Sequence, residues 1–163
     1  MFIDIHAHAY RRECPLADGR TCFATPDEVI KRYDELGIEK GAYLPLIGPE
    51  EYLPQSNEDV IEICEQSGGR LFPFCNLDPR GLGNSPEADF SIWIEHYKKR
   101  GCKGIGEFMP NLPFEDPRCQ NFFKHAEKAG LPIIFDISAR LGVGYGIYDD
   151  MGLPQLERTL QRF

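Results

Sequence analysis

Short apolar runs alternate along this chain with stretches of helical periodicity. The first block, Phe2-Ile3-Asp4-Ile5-His6-Ala7-His8, interleaves apolar with polar residues. It predicts a strand with residues 4, 6 and 8 on one face, because strand side chains alternate with a period of two. Tyr10 to Ala24 is polar and predicts a loop, with Arg11-Arg12-Glu13 as a solvated face. Thr25-Pro26-Asp27-Glu28 has the form of a capping box with Pro at the first helical position. Val29, Ile30, Tyr33 and Leu36 follow at helical spacing, and Gly37 suits a C-terminal cap. Lys40 to Leu46 predicts a second strand. Ser56-Asn57-Glu58-Asp59 then opens a helix striped by Val60, Ile61, Ile63 and Cys64 and broken at Gly68-Gly69.

Leu71 to Leu77 predicts the third strand, ended by Asp78-Pro79-Arg80. Ser85-Pro86-Glu87 predicts the cap of a helix carrying Phe90, Trp93, Ile94 and Tyr97 and stopped by Gly101. Cys102 to Met109 predicts strand four, and Asp116-Pro117 opens a helix with Phe122, Phe123 and Ala126 that ends at Gly130. Pro132 to Ile137 is the fifth predicted strand; a Gly-rich loop, Arg140 to Gly152, leads to a last helix over Leu153–Phe163. Strands thus start near residues 2, 40, 71, 102 and 132, a repeat of roughly 30 residues that matches a βαβ unit. Alternating strands and helices give a parallel sheet, so the class is α/β.

Length and composition narrow the architecture. A chain of 163 residues holds one domain. Five βα units fit either a doubly wound open sheet or the first five units of a (β/α)8 barrel, which typically takes about 250 residues. No Gly-x-Gly-x-x-Gly follows a strand and there is no P-loop, so nucleotide binding has no support. The net charge of −8 argues against nucleic-acid and anionic-membrane partners. No apolar run approaches the roughly 20 residues of a membrane span, and the N-terminus lacks a signal-peptide pattern. The expectation is a cytoplasmic chain whose six cysteines are free thiols, with Cys64, Cys75 and Cys102 in the core. Cys14 and Cys22 flank the polar loop, where a second metal site is a minor alternative.

Candidate chemistry gathers at the carboxyl ends of the predicted strands, where parallel α/β folds place their ligand sites. His6 and His8 close strand one, Asp78 and Arg80 follow strand three, Glu107 closes strand four and Asp136 lies near the end of strand five. Neutral His is a common ligand for divalent metals, and a carboxylate buried among apolar residues needs a cation or hydrogen bonds. His6, His8, Glu107 and Asp136 therefore form a candidate mixed N/O metal site. His96 and His125 fall mid-helix and read as structural.

His-x-His on the first strand, Asn76-Leu77-Asp78-Pro79-Arg80 after the third and Gly104-x-Gly106-Glu107 on the fourth resemble the amidohydrolase superfamily. The closest branch is the amidohydrolase-related group that also holds aminocarboxymuconate-semialdehyde decarboxylase-like enzymes. The resemblance runs through essentially all of the chain. It implies a TIM-barrel-type metal-dependent hydrolase of which residues 1–163 supply about five of eight units, incomplete at the C-terminus. It also implies one or two divalent metals, with His6 and His8 matching the first two ligands and Zn, Mn or Mg as the ion. Glu107 and Asp136 would be further ligands and the carboxylates active in catalysis, and Arg80 or Arg140 would bind a substrate carboxylate. Two departures stand out: Asp136 replaces the family's fifth-strand His, and the sixth-strand His and eighth-strand Asp have no counterpart. The implied reaction is attack of metal-activated water on a carbonyl-type bond of a small molecule. The alternatives are non-oxidative decarboxylation of an unsaturated or aromatic acid, or a truncated, non-catalytic metal-binding protein. Five units alone would leave sheet edges and an apolar face bare, so a complete chain of this length is expected to form a homo-oligomer or to rearrange into an open sheet.

Overall fold

In a computed structural model the described residues are 2–11, 14–15, 19, 21–22, 24–51, 53–142 and 145–163, with backbone only at 14, 21 and 22. The elements in chain order are β1 (Phe2–Ala7), β2 (Cys14–Pro15), β3 (Thr21–Cys22), α1 (Pro26–Leu36), β4 (Ile38–Tyr43), α2 (Asn57–Gln66), β5 (Leu71–Pro73) and α3 (Gly81–Asn84). They continue with α4 (Ser91–Lys99), β6 (Ile105–Phe108), β7 (Pro110–Pro113), α5 (Pro117–Ala129), β8 (Ile133–Phe135), β9 (Ile137–Ser138), β10 (Gly146–Tyr148) and α6 (Pro154–Arg162).

Local chemistry sets most helix ends where the residue pattern places them. Thr25 Oγ1 accepts from the Glu28 N–H while Glu28 Oε2 accepts from the Thr25 N–H at 2.7 Å, closing the capping box of α1. Ser56 Oγ caps α2 through the Asp59 N–H, and the Asp116 carboxylate caps α5 through the Arg118 N–H. The third main helix departs from expectation. Ser85 ends the short α3, and α4 starts only at Ser91, whose N–H bonds to Asp89 at 2.9 Å. Ala88 and Phe90 are pinned in the core, the latter edge-on to Phe122 and His125, and the chain turns there before it can coil.

β1, β4 and β5 form one parallel ladder and β6 and β8 another. Cys75 and Ile105 bridge the two, through bonds from the Cys75 N–H to Gly104 O and from the Gly106 N–H to Cys75 O. The order is therefore β1-β4-β5-β6-β8, strictly sequential. A doubly wound sheet reverses its order at a switch point; a barrel does not. The sheet is open among the described residues, because β1 has β4 on one side and nothing on the other.

The main cores lie between sheet and helices. Tyr33, Val60 and Ile63 of α1 and α2 pack with Tyr43 and Leu71, and Phe90, just before α4, packs together with Ile94, Phe122 and Phe123 of α4 and α5 on Ile105 and Phe108. A smaller cluster of Ala42, Leu44 and Phe74, with Phe72 and Ile134 against it, covers the other sheet face. β4 is buried on both faces from Gly41 to Tyr43, whereas Phe2, Ile3 and Ile5 of β1 are 71%, 50% and 67% exposed.

Among the described residues four short strands, β2, β3, β7 and β10, escape the periodicity. β10 lies in the expected Gly-rich loop, parallel to both β7 and β9. Gly146 permits this: it has φ +112°, and a Cβ there would stand 3.0 Å from the Ser138 nitrogen and 3.1 Å from Asp136 O. The expected fifth strand is split at Asp136 into β8 and β9, and the Asp136 carbonyl accepts from the Ile147 N–H at 2.7 Å. Around the first loop, Cys14 and Cys22 are paired in backbone register across a β2–β3 hairpin. Arg12, Glu13, Val143 and Gly144 and the side chains of Cys14 and Cys22 lie outside the described residues.

Candidate metal centre

Two strand irregularities aim the ligands. In β1, Asp4 and Ala7 both turn toward the helices: Asp4 Oδ2 accepts from the Tyr33 hydroxyl of α1 at 2.9 Å, and Ala7 packs in the Tyr33 cluster. Residues three apart cannot share a face of a regular strand, and the β1–β4 register shifts between them. The extra residue re-aims the chain, as bulges near functional sites do. Asp4 therefore leaves the expected face of His6 and His8; instead its Oδ1 accepts from the His6 N–H at 3.0 Å. β6 repeats the device. Ile105 and Phe108 both enter the helix-side core across a register shift, with Gly106 and Glu107 between them.

The outcome is a three-atom cluster. His6 Nε2 and His8 Nε2 are 3.1 Å apart, and Glu107 Oε2 lies 3.4 Å and 3.0 Å from them. In a tetrahedral site with metal–ligand distances of ~2.1 Å, ligand atoms stand ~3.4 Å from one another, so the triangle has the size a metal ion requires. His8 Nδ1 lies 3.0 Å from the Leu44 carbonyl, which can only accept. That bond puts the ring proton on Nδ1 and leaves the Nε2 lone pair facing the cluster, the tautomer a ligating His needs. A buried knot fixes the strand end beyond: the Ala9 N–H donates to the Tyr43 hydroxyl, and the Gln55 amide donates to Ala9 O at 2.7 Å. These three residues could hold a divalent cation.

Asp136 joins them in a cavity of about 470 Å³ that is also lined by Leu46, Glu50, Glu51, Met109 and Tyr145. Burial works against the Glu107 anion, but the adjoining His8 ring and a hydrogen bond from Asp136 outweigh it and hold this carboxyl well below its usual range. The hydrogen bond to Glu107 and burial push the Asp136 carboxyl up, so the pair shares one proton and Asp136 carries it. Tyr145 reaches Asp136 from the segment just before β10. Burial and the Glu107 charge raise the Glu51 carboxyl as well.

The two arginines lie elsewhere. Arg80 donates to both oxygens of Glu50, at 2.6 and 2.7 Å, and to Asp78 through Nε at 2.8 Å and through Nη2. Its fork is filled. Those bonds raise the guanidinium pKa and lower that of Glu50. Asp78 also forms a turn, accepting from the Arg80 N–H. Arg140 is exposed beyond β9, its backbone tied to Ser138 Oγ. His125 bridges α5 to Ser91 at the start of α4, and His96 is exposed on α4, both away from the metal centre. Glu50, Glu51 and Tyr145 are cavity residues the sequence reading missed; the acidic pair in the loop after strand two was the available signal.

Solved structures that share this fold include one from Acinetobacter baumannii and one from Agrobacterium tumefaciens. Over 81% of its length, with a TM-score of 0.51 and 16% identity, the chain superposes on 48% of a probable 2-pyrone-4,6-dicarboxylic acid hydrolase from Acinetobacter baumannii, solved with citric acid bound. It superposes equally on 46% of a protein from Agrobacterium tumefaciens in its apo form, at 12% identity. The chain spans about half the length of each, and at these identities the likeness is one of fold. No protein-family model and no curated protein matches the chain. Among the described residues no helix is long and apolar enough to cross a membrane.

Proposed function

We propose that this chain is the first five units of an amidohydrolase-type barrel and serves metal-dependent hydrolysis of a carbonyl-type bond, amide, ester or lactone, in a small molecule. The observation that carries this is the His6–His8–Glu107 triangle, with the His8 tautomer set by Leu44 O, at the carboxyl end of a sequential parallel sheet. When bound, a divalent cation supplies Lewis acidity there, polarising a carbonyl and making water acidic enough to act as a nucleophile near neutral pH. Two imidazoles and a carboxylate suit Zn, with Mn as the harder alternative. His6, His8 and Glu107 would hold the ion. Asp136, which holds the proton it shares with Glu107 in the same cavity, would deliver that proton to the departing group, and Tyr145, hydrogen-bonded to it, orients it.

The cavity walls favour an uncharged substrate. Glu50, Glu51, Glu107 and Asp136 line it, and no Lys or Arg does among the described residues. A substrate carboxylate would have to draw Arg80 away from Glu50 and Asp78 or meet Arg140 from the rim, which weighs against decarboxylation of an acid. The test is elemental analysis and zinc titration of the purified chain, with a His6→Ala/His8→Ala double variant, followed by a screen of neutral esters, amides and lactones that also monitors CO2 release. The expected result is near-stoichiometric metal, lost in the variant, and hydrolysis without CO2. Absence of metal binding in a folded chain would overturn the proposal and leave a non-catalytic product; metal-dependent CO2 release would replace hydrolysis by decarboxylation.

A further inference from the structure

A second and larger cavity, about 640 Å³, lies behind the loop that walls the metal centre. An antiparallel bridge between Leu46 and Gln55 closes that loop, with mutual N–H to O bonds of 3.1 and 2.9 Å. Glu50 and Glu51 line the metal cavity, whereas Ile47 and Pro54 of the same loop line the second, and Leu46 touches both. The volume falls within the roughly 300–1,000 Å³ of small-molecule sites.

Its walls have a definite chemistry. Phe90, at the N-cap of α4, and Trp93 and Tyr97 within it offer three aromatic side chains, and Leu77 and Leu82 add aliphatic surface. Trp93 and Leu82, 45% and 47% exposed, form an apolar rim. The ionisable groups in the wall, apart from the Tyr97 hydroxyl, are the carboxylates of Glu58, Asp59 and Asp78, with no Lys, Arg or His among the described lining residues. Arg80 neutralises Asp78. Glu58 and Asp59 stand in the first turn of α2, where two full negative charges exceed the roughly half positive charge of a helix N-terminus. Glu58 spends one oxygen on the Tyr97 hydroxyl at 2.9 Å.

The independent observation is a surplus of acceptors. Asn76 and Gln55, 2% and 4% exposed, both belong to this wall, and Asn76 Oδ1 and Gln55 Oε1 have no hydrogen-bond partner. Neither amide can turn over to relieve this. Asn76 Nδ2 donates to Glu107 O at 2.7 Å and Gln55 Nε2 to Ala9 O at 2.7 Å, and both acceptors are carbonyls. Aromatic surfaces, carboxylates in the wall and unpaired acceptors all call for a ligand with an apolar body and N–H donors. We propose that this cavity binds a small aromatic ammonium ion, its ring against Trp93 and Tyr97 and its ammonium group toward Glu58. Aromatic faces and carboxylates both attract cations, and none of His6, His8 and Glu107 lines this cavity.

Trp93 is the only tryptophan of the chain, so its emission reports the site directly. The full chain is titrated with 2-phenylethylammonium, with neutral 2-phenylethanol and with anionic 3-phenylpropionate, three probes of nearly one size. The expected result is a saturable change with the ammonium ion, about tenfold weaker affinity for the alcohol and none for the carboxylate. Glu58→Gln is expected to bring the ammonium affinity down to that of the alcohol while leaving the alcohol unchanged, which also shows the cavity intact. Equal affinity for all three probes, preference for the carboxylate, or no saturation would overturn the proposal. So would loss of ammonium binding in the His6→Ala/His8→Ala variant, since the probe would then sit in the metal cavity.

Discussion

Replacing Gly41 by Ala tests how the sheet holds the metal centre. Gly41 sits in β4 directly beneath Tyr33 of α1: a Cβ there would stand 2.3 Å from the tyrosine oxygen, 2.6 Å from Cε2 and 2.8 Å from Cζ. Comfortable carbon contacts begin at about 3.5 Å, so the ring must retreat by about 1 Å. Tyr33 is 4% exposed and packed on Val60, Ile63 and Tyr43, which leaves it no room. Overpacking of this kind costs about 1–3 kcal/mol. Retreat also breaks the 2.9 Å bond from the Tyr33 hydroxyl to Asp4, worth about 1 kcal/mol at a half-buried carboxylate. Against this, Ala restricts the unfolded chain and returns about 0.4–1 kcal/mol. The net destabilisation is about 2 kcal/mol, from these same terms.

Urea unfolding followed by circular dichroism measures it as a lower midpoint at unchanged slope. Tyr33→Leu in the Gly41→Ala background is expected to recover about 1 kcal/mol of coupling, because the colliding ring is gone. Asp4 also holds the His6 N–H, so Gly41→Ala is expected to weaken zinc binding by about tenfold, the usual scale for a support of a metal ligand. A stability change below about 0.5 kcal/mol would sink this account of how α1 braces β1, since that is the size of an indifferent substitution.

Three further outcomes follow from particular contacts. Arg80 lowers the folded pKa of Glu50, so the pair stabilises the fold above the unfolded carboxyl value and that stability is lost as pH falls through the folded one; the stability gap between wild type and Glu50→Gln, followed by denaturation, should be flat above pH ~5 and close toward pH ~3. A gap that widens on acidification would contradict it. Asp149, 1% exposed, accepts from the Asp150, Gln155 and Leu156 N–H groups and caps α6; Asp149→Ala should cost about 2 kcal/mol and lower the melting temperature by about 4–8 °C. Phe2, Ile3 and Ile5 leave β1 an apolar edge with no partner strand among the described residues, so light scattering should show concentration-dependent self-association that Ile5→Lys suppresses; an ideal monomer at every concentration would refute this.

The caps of α1, α2 and α5 were legible because each depends on a few consecutive residues, Thr25 with Glu28, Ser56 with Asp59, Asp116 with Arg118. The late start of α4 was not, since Phe90 is held by Phe122 from another helix and that contact overrides Ser85 as a cap. Nor was the turning of Asp4 away from His6, because one added residue reverses every following side chain of a strand.

By itself the sequence determined the α/β class, the five strand–helix units and the presence of His6, His8, Glu107 and Asp136 at strand ends, because period and capping act over a few residues. Only the tertiary structure decided which of them meet. The register shifts in β1 and β6 bring Glu107 onto the histidine pair from some hundred residues away. Glu50 and Asp78 close the fork of Arg80, β10 delivers Tyr145 to Asp136, and the loop from Leu46 to Gln55 parts one cavity from another. The partners of a buried polar group are chosen by packing between distant segments, and no spacing along the chain carries that information.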